Sequence, residues 1–188
     1  SENIDNIPPG FMASTYGLNN IYRMSSEQVK EVNKAYNACI TQIDYSLGLL
    51  FARMRELDLL ENTWIIFTAD HGDMQGDHHM GAKTVFLEGA AHIPLIVRPP
   101  AGAWDEKPLS NTRVDSLTDL TDILPTVLNI AGVDIPEGVD GRDLLETVEK
   151  PDPDRVIIGH SSEREFAVIK GDYKYMWTST GGGELLFN

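Results

Sequence analysis

Sulfur and positive charge are both scarce in this chain. One cysteine, Cys39, stands among 188 residues, which excludes an internal disulfide framework and a cysteine-rich zinc site. The 15 basic residues face 29 acidic ones, a formal charge of −14. Nonspecific binding to nucleic acid or to an anionic membrane uses a basic face, so neither is expected as a partner. No run approaches the roughly 18 apolar residues of a membrane-spanning helix, and no basic-then-apolar segment opens the chain. A zinc helix of the His-Glu-x-x-His type is not supported, since that spacing does not occur. The opening Ser1-Glu2-Asn3-Ile4-Asp5 reads as the interior of a longer protein, and the chain is expected to be an excised piece.

What is present allows one core with a small appendage: 41% of the residues are hydrophobic. Residues 1–24, with Pro8-Pro9-Gly10 and Asn19-Asn20, read as an extended lead-in. Ser25 and Gln28 fit a capping box. Behind them Val29, Val32, Tyr36, Cys39, Ile43, Leu47, Leu50, Met54 and Leu57 recur at three- and four-residue steps, which predicts a long amphipathic helix over 26–57. Cys39 lies on that stripe and is expected to be a buried small hydrophobe. Asp44 is expected as a buried or edge hydrogen-bond partner, and Gly48 as a point of close packing. The β-branched run Trp64–Thr68 predicts a buried strand, and a helix feeding such a strand predicts a crossover unit covered on both faces.

Further along, 84–88 reads as a short helical turn and 92–98 as a second strand, with Pro94 tolerable near its start. Pro99-Pro100 ends it, and 101–113 reads as a loop. Ser116 or Thr118 is expected to cap a helix reaching Ile130, which either begins near Thr121 or kinks at Pro125, and Gly132 ends it. Residues 141–145 suggest one turn. Then the period changes. Val156–Gly159, Glu165–Lys170 and Tyr173–Thr178 predict three short strands, the last two a hairpin. Gly181-Gly182-Gly183 frees the chain beyond them. The class is therefore α/β, with residues 1–150 as the main core and 151–188 as the start of a small antiparallel β subdomain.

The segment after the first strand is chemically dense. Three aspartates, three of the five histidines, three glycines and one lysine fall between Asp70 and Lys83. A buried strand opening into a glycine-rich loop is where open α/β sheets place their chemistry. Asp70 offers hard carboxylate oxygen and His71 imidazole nitrogen, both able to bind a divalent metal. Gly72, Gly76 and Gly81 let the backbone turn tightly. Lys83 supplies a fixed positive charge for an anionic substrate oxygen. Against this stands the plain reading of a solvated loop whose Asp caps a turn.

Asp70-His71-Gly72, Gly76-Asp77-His78 and Lys83, thirteen residues after Asp70, resemble the second-half signature of the sulfatases of the alkaline phosphatase superfamily. Four further segments are similar to that family in the same order. These are Asp44 with Gly48; Glu88 with Ile93-Pro94-Leu95-Ile96; Asp122 with Pro125-Thr126 and Ala131-Gly132; and Gly171-Asp172-Tyr173-Lys174-Tyr175. The resemblance implies part of an alkaline-phosphatase-like α/β sandwich with a mainly parallel sheet, followed by the antiparallel subdomain. It implies Asp70 and His71 as metal ligands and Lys83 as the contact to the sulfuryl and leaving oxygens. His78 matches a motif position, with substrate contact and structural support both open. The implied cofactor is a divalent metal, Ca²⁺ first, with Mn²⁺ or Zn²⁺ as alternatives because imidazole suits them better. The implied substrate is a sulfate ester, as a small molecule or a glycan.

Two parts of the family pattern have no counterpart. The nucleophile, a Cys or Ser converted to formylglycine, sits in a Cys/Ser-x-Pro-Ser/Ala-x-Arg-like motif, whereas Cys39 is followed by Ile40-Thr41. The family's early Asp-Asp metal pair is absent too. The expectation is a C-terminal portion, inactive alone, whose missing N-terminal portion carries the nucleophile and the other ligands. A phosphonate monoester hydrolase or phosphodiesterase of the same superfamily is the alternative, and a non-catalytic binding module a second. Candidate specificity loops are 72–82, 101–113 and 160–165. His79 is expected at the surface, and His92 and His160 each fit either a strand end or a pocket. Asp73 and Asp77 read as loop carboxylates.

Overall fold

A computed structural model describes residues 24–103, 113–161, 164–179 and 183–188. The lead-in up to residue 23, most of the 101–113 loop, residues 162 and 163, and Gly181-Gly182 lie outside them. The described chain falls into two compact units, one within 24–103 and one from 113 onward.

The first unit begins with α1, Ser26–Glu56. Its start carries the expected capping box: the Gln28 N–H donates to Ser25 Oγ at 3.3 Å, and the Ser25 N–H to Gln28 Oε1 at 2.8 Å. Two short lines on its surface, Val29, Asn33 and Tyr36, then Leu47, Phe51 and Met54, are half-buried. No residue of the helix is fully buried. Cys39 is exposed, as are Ile40, Ile43 and Leu50, which corrects the expectation of a buried thiol. The apolar stripe is wider than the surface this unit lays against it. Asp44 is likewise exposed, and a β-carbon at Gly48 would meet only open space, so neither the burial nor the close packing expected there is seen.

A 3₁₀ turn, Leu60–Asn62, leads into β1, Ile65–Thr68, and the chain returns as β2, Leu95–Arg98. The two strands pair antiparallel, Ile65 opposite Arg98 and Thr68 opposite Leu95. The expected α/β class is seen, helices with strands; the two described strands of this unit show this antiparallel pair alone. Parallel neighbours need a crossover that carries the chain back across a sheet face. Here the only α-helix between the strands is α2, Glu88–Ala91, a single turn, so the return is local and the pair antiparallel. Phe67 and Ile96 are exposed, unlike a strand covered on both faces. Arg98 anchors the far end, Nη1 donating to the Leu60 carbonyl at 2.7 Å. The buried apolar side chains sit mainly in the connection: Met74, Met80, Val85, Leu87 and Ala90, with Leu60 before β1.

In the second unit the helix cap is Asp119, not Ser116 or Thr118; its Oδ1 accepts the Thr121 N–H at 2.8 Å. A 3₁₀ turn, Leu120–Asp122, runs into α3, Ile123–Ile130. Pro125 falls in the first turn of α3, where a missing N–H costs little. Helix α4, Leu144–Glu149, is capped by Asp143. Four strands follow, β3 Val156–Ser161, β4 Glu165–Lys170, β5 Tyr173–Thr178 and β6 Glu184–Phe187. They form an antiparallel meander in chain order, which extends the three expected strands by one.

A buried ion pair ties this unit together. Asp122 is 0% exposed and Arg155 6%, and the guanidinium donates to both carboxylate oxygens at 2.8 Å. The same carboxylate accepts the backbone N–H of Arg142 at 2.8 Å and of Asp119 at 3.0 Å. Burial alone would lift the Asp122 carboxyl, but Arg155 and these backbone donors outweigh it and hold it below the usual carboxylate value. Among the described residues no helix is long and apolar enough to cross a membrane.

Removing one member of a buried pair strands the other charge. Arg155→Ala should therefore cost roughly 3–5 kcal/mol of stability, measured as the denaturation midpoint of the intact protein. Because the Asp122 carboxyl is lowered on folding, the unfolded chain takes up its proton first as pH falls. The stabilisation should be complete above about pH 4 and fade as pH drops through Asp122's lowered value. Arg155→Ala should flatten that acid-side slope.

Candidate active site

Asp70 and His71 leave the end of β1, and the segment behind them zips back on itself. The Gly72 N–H donates to the Ala90 carbonyl, Met74 to Ala82 and Gly76 to Met80, each at 2.8 Å. Met74 and Met80, both 1% exposed, plug the interior of the fold-back. Lys83 follows directly on Ala82, so the pairing of Ala82 with Met74 returns it toward His71.

Residue 72 has no room for a side chain. A β-carbon there would overlap the Gly89 carbonyl oxygen, so glycine is required for the two backbones to meet. One at Gly76 would run into the Val29 side chain, which sets the turn against α1. Non-glycine residues also adopt left-handed backbone: Gln75 (φ 49°), His78 (53°), His79 (60°), Ala82 (60°) and Thr84 (90°). Such conformations cost on the order of 1 kcal/mol or more each and cluster at functional sites. Ala82 and Thr84 flank Lys83, and nothing in the composition of the loop announced them.

Three predicted residues meet. His71 Nδ1 donates to the Gly72 carbonyl oxygen at 2.8 Å, which puts a proton on Nδ1 and leaves Nε2 as the ring nitrogen a metal can use. Lys83 Nζ lies 2.5 Å from Nε2, and Asp70 Oδ2 lies 3.2 Å from the same nitrogen. Asp70 Oδ1 accepts the His71 N–H at 3.0 Å. The Asp70 side chain is 83% exposed and that of His71 36%, so both side chains reach solvent in this unit. A chain with a strong negative balance thus holds a lysine ammonium beside a carboxylate and an imidazole.

The other candidates are placed elsewhere in the segment. Asp73 Oδ1 accepts the Gln75 N–H at 2.8 Å, a turn-closing bond. Asp77, His78 and His79 form a 3₁₀ turn, with His78 half-buried and His79 exposed. No third His, Cys, Asp or Glu joins Asp70 and His71 in a group able to hold a metal, among the described residues. His92 Nδ1 lies 2.8 Å from Glu88 Oε2, one helical turn earlier. His160, in the other unit, packs against Phe166 with ring centroids 6.3 Å apart.

A profile of the Sulfatase family matches residues 8–133. The chain belongs to the sulfatase family. An arylsulfatase of Clostridium perfringens is 32% identical over 171 residues, covering 88% of this chain and 35% of the relative. The phosphonate monoester hydrolase of Agrobacterium radiobacter superposes with a TM-score of 0.72 at 26% identity, over 87% of this chain and 36% of that one. A protein solved with its substrate D-glucosamine-2-N,6-O-disulfate shares the fold, with a TM-score of 0.62 at 21% identity over 79% and 32%. This sulfatase-family chain spans about a third of the length of these relatives.

Gly72→Ala should push the loop off Gly89 and cost about 1–3 kcal/mol, the usual penalty of overpacking. Ala82→Gly, which removes a β-carbon from left-handed backbone, should be neutral or stabilise by up to ~1 kcal/mol. Denaturation midpoints of the two variants in the intact protein would check the opposite signs.

Proposed function

We propose that the chain is the metal- and ester-binding part of a sulfuric ester hydrolase acting on sulfate esters, as small molecules or glycans. The convergence of Asp70, His71 and Lys83 at the end of β1 carries this reading. Asp70 and His71 would hold a divalent cation, Ca²⁺ first and Mn²⁺ or Zn²⁺ as alternatives. Their chemistry suits it: one hard carboxylate and one imidazole whose Nδ1–H is committed to a carbonyl, the usual way a ligating histidine is oriented. When bound, the cation polarises the ester oxygens. Lys83 neutralises charge that builds on the sulfuryl and leaving oxygens as the ester bond breaks. His78, in the turn behind the site, is assigned to substrate contact or to support of the loop.

A hard cation takes roughly six oxygen ligands or more, and this chain offers two donors. The nucleophile and the other ligands would come from polypeptide outside these 188 residues, the N-terminal portion of the same enzyme. The chain alone is then without turnover. The fold likeness to a phosphonate monoester hydrolase and the imidazole ligand support a second reading, a phosphonate monoester hydrolase or phosphodiesterase with Mn²⁺ or Zn²⁺.

Matched aryl sulfate and aryl phosphonate esters, assayed on the intact protein with metal analysis, separate the two. The sulfatase reading expects higher kcat/KM on the sulfate. His71→Ala should lose metal and activity together. Lys83→Ala should keep metal while kcat/KM falls about 10²–10³-fold, the scale of losing one charge-stabilising donor. Full activity in both variants would reject the site.

A further inference from the structure

Resting on the reading that His71 is a metal ligand, we infer that Lys83 has two stations. It is a placeholder cation on His71 Nε2, and metal binding releases it toward the ester. The imidazole's capacity is the limit. An imidazole has two nitrogens, and Nδ1 is spent as a donor to the Gly72 carbonyl oxygen. Nε2 therefore has a single lone pair to give. The Lys83 ammonium lies against that nitrogen, placed to donate into its lone pair. A metal bond from Nε2 uses the same electrons, so the two contacts exclude each other.

The local build makes the exchange a side-chain movement. The backbone on both sides of Lys83 is locked in left-handed conformation, at Ala82 and Thr84, and the Ala82 carbonyl is held by Met74. Lys83 itself is exposed, and its four-carbon stem has the torsional freedom to swing. Two consequences follow. Metal and lysine compete for one ligand atom, so Lys83 weakens metal binding while serving the ester. The ammonium also becomes available to the substrate once a metal has taken its place, which couples loading of the cation to readiness of the site.

The test uses the intact protein, stripped with chelator, and Mn²⁺ alone as the probe. Wild type, Lys83→Met, Lys83→Arg and His71→Ala are titrated calorimetrically. In parallel, metal-stripped samples are treated with diethyl pyrocarbonate, which acylates an unprotonated imidazole nitrogen, and each histidine is followed by peptide mass. Exposed His79 serves as internal reference.

The expected result in Lys83→Met is faster acylation of His71 and tighter Mn²⁺ binding, each about tenfold, the scale of losing one charge-assisted hydrogen bond. His79 should be unchanged, and Lys83→Arg should stay near wild type. Wild-type acylation of His71 in Lys83→Met, or unchanged Mn²⁺ affinity, would overturn the two-station assignment. If His71→Ala binds Mn²⁺ as tightly as wild type, the metal-ligand reading itself fails, an outcome distinct from either of those.

Discussion

At residue 72 two stretches of backbone come closer than any side chain permits. The Gly72 N–H bonds to the Ala90 carbonyl, and the Gly72 α-carbon faces the Gly89 carbonyl with no room for a methyl group. This seam closes the segment between β1 and β2 into a fold-back. The Gly72 carbonyl then accepts from His71 Nδ1, so the closeness that shapes the loop also selects the histidine tautomer. The inner rung, Met74 to Ala82, returns Lys83 to the same imidazole. Backbone geometry at two glycines thus sets the chemistry of a side-chain cluster, with two buried methionines filling the interior behind it.

The second unit solves a different problem. Its helices and meander have few large apolar residues inside, and a buried Asp122–Arg155 pair stands at their junction. The carboxylate accepts two backbone N–H groups besides the guanidinium, so its lone pairs are used rather than stranded. A buried charge is tolerable only on those terms. The pair lies 33 residues apart in sequence, and the single Arg155 reaches the Leu117 carbonyl and Asp119 as well.

Much of the fold could be read from the chain because its signals are local. The capping box of α1, the run forming β1, the Pro-tolerant first turn of α3 and the alternation in β4 and β5 each declare themselves within a few residues. The spacing of Asp70, His71 and Lys83 announced their meeting. What escaped is what depends on partners distant in sequence. Cys39 sits on a helical stripe, but burial needs a surface to meet it, and this unit covers only part of α1. The antiparallel pairing of β1 with β2 follows from a local return that periodicity does not reveal. Left-handed Ala82 and Thr84 carry no compositional mark, unlike glycine. Asp119 displaced Ser116 and Thr118 as the cap because its carboxylate also lies within reach of Arg155. The four-residue β6 was too short to show alternation.

The chemistry of this site depends on what Asp70 and His71 hold. Anomalous scattering from crystals of the intact protein grown with Mn²⁺ addresses it directly. A peak within roughly 2.0–2.3 Å of an Asp70 carboxylate oxygen and His71 Nε2, with Lys83 Nζ turned away from the ring, is the predicted result. A peak bound wholly by other residues, with the Lys83–His71 contact intact beside it, would contradict the account.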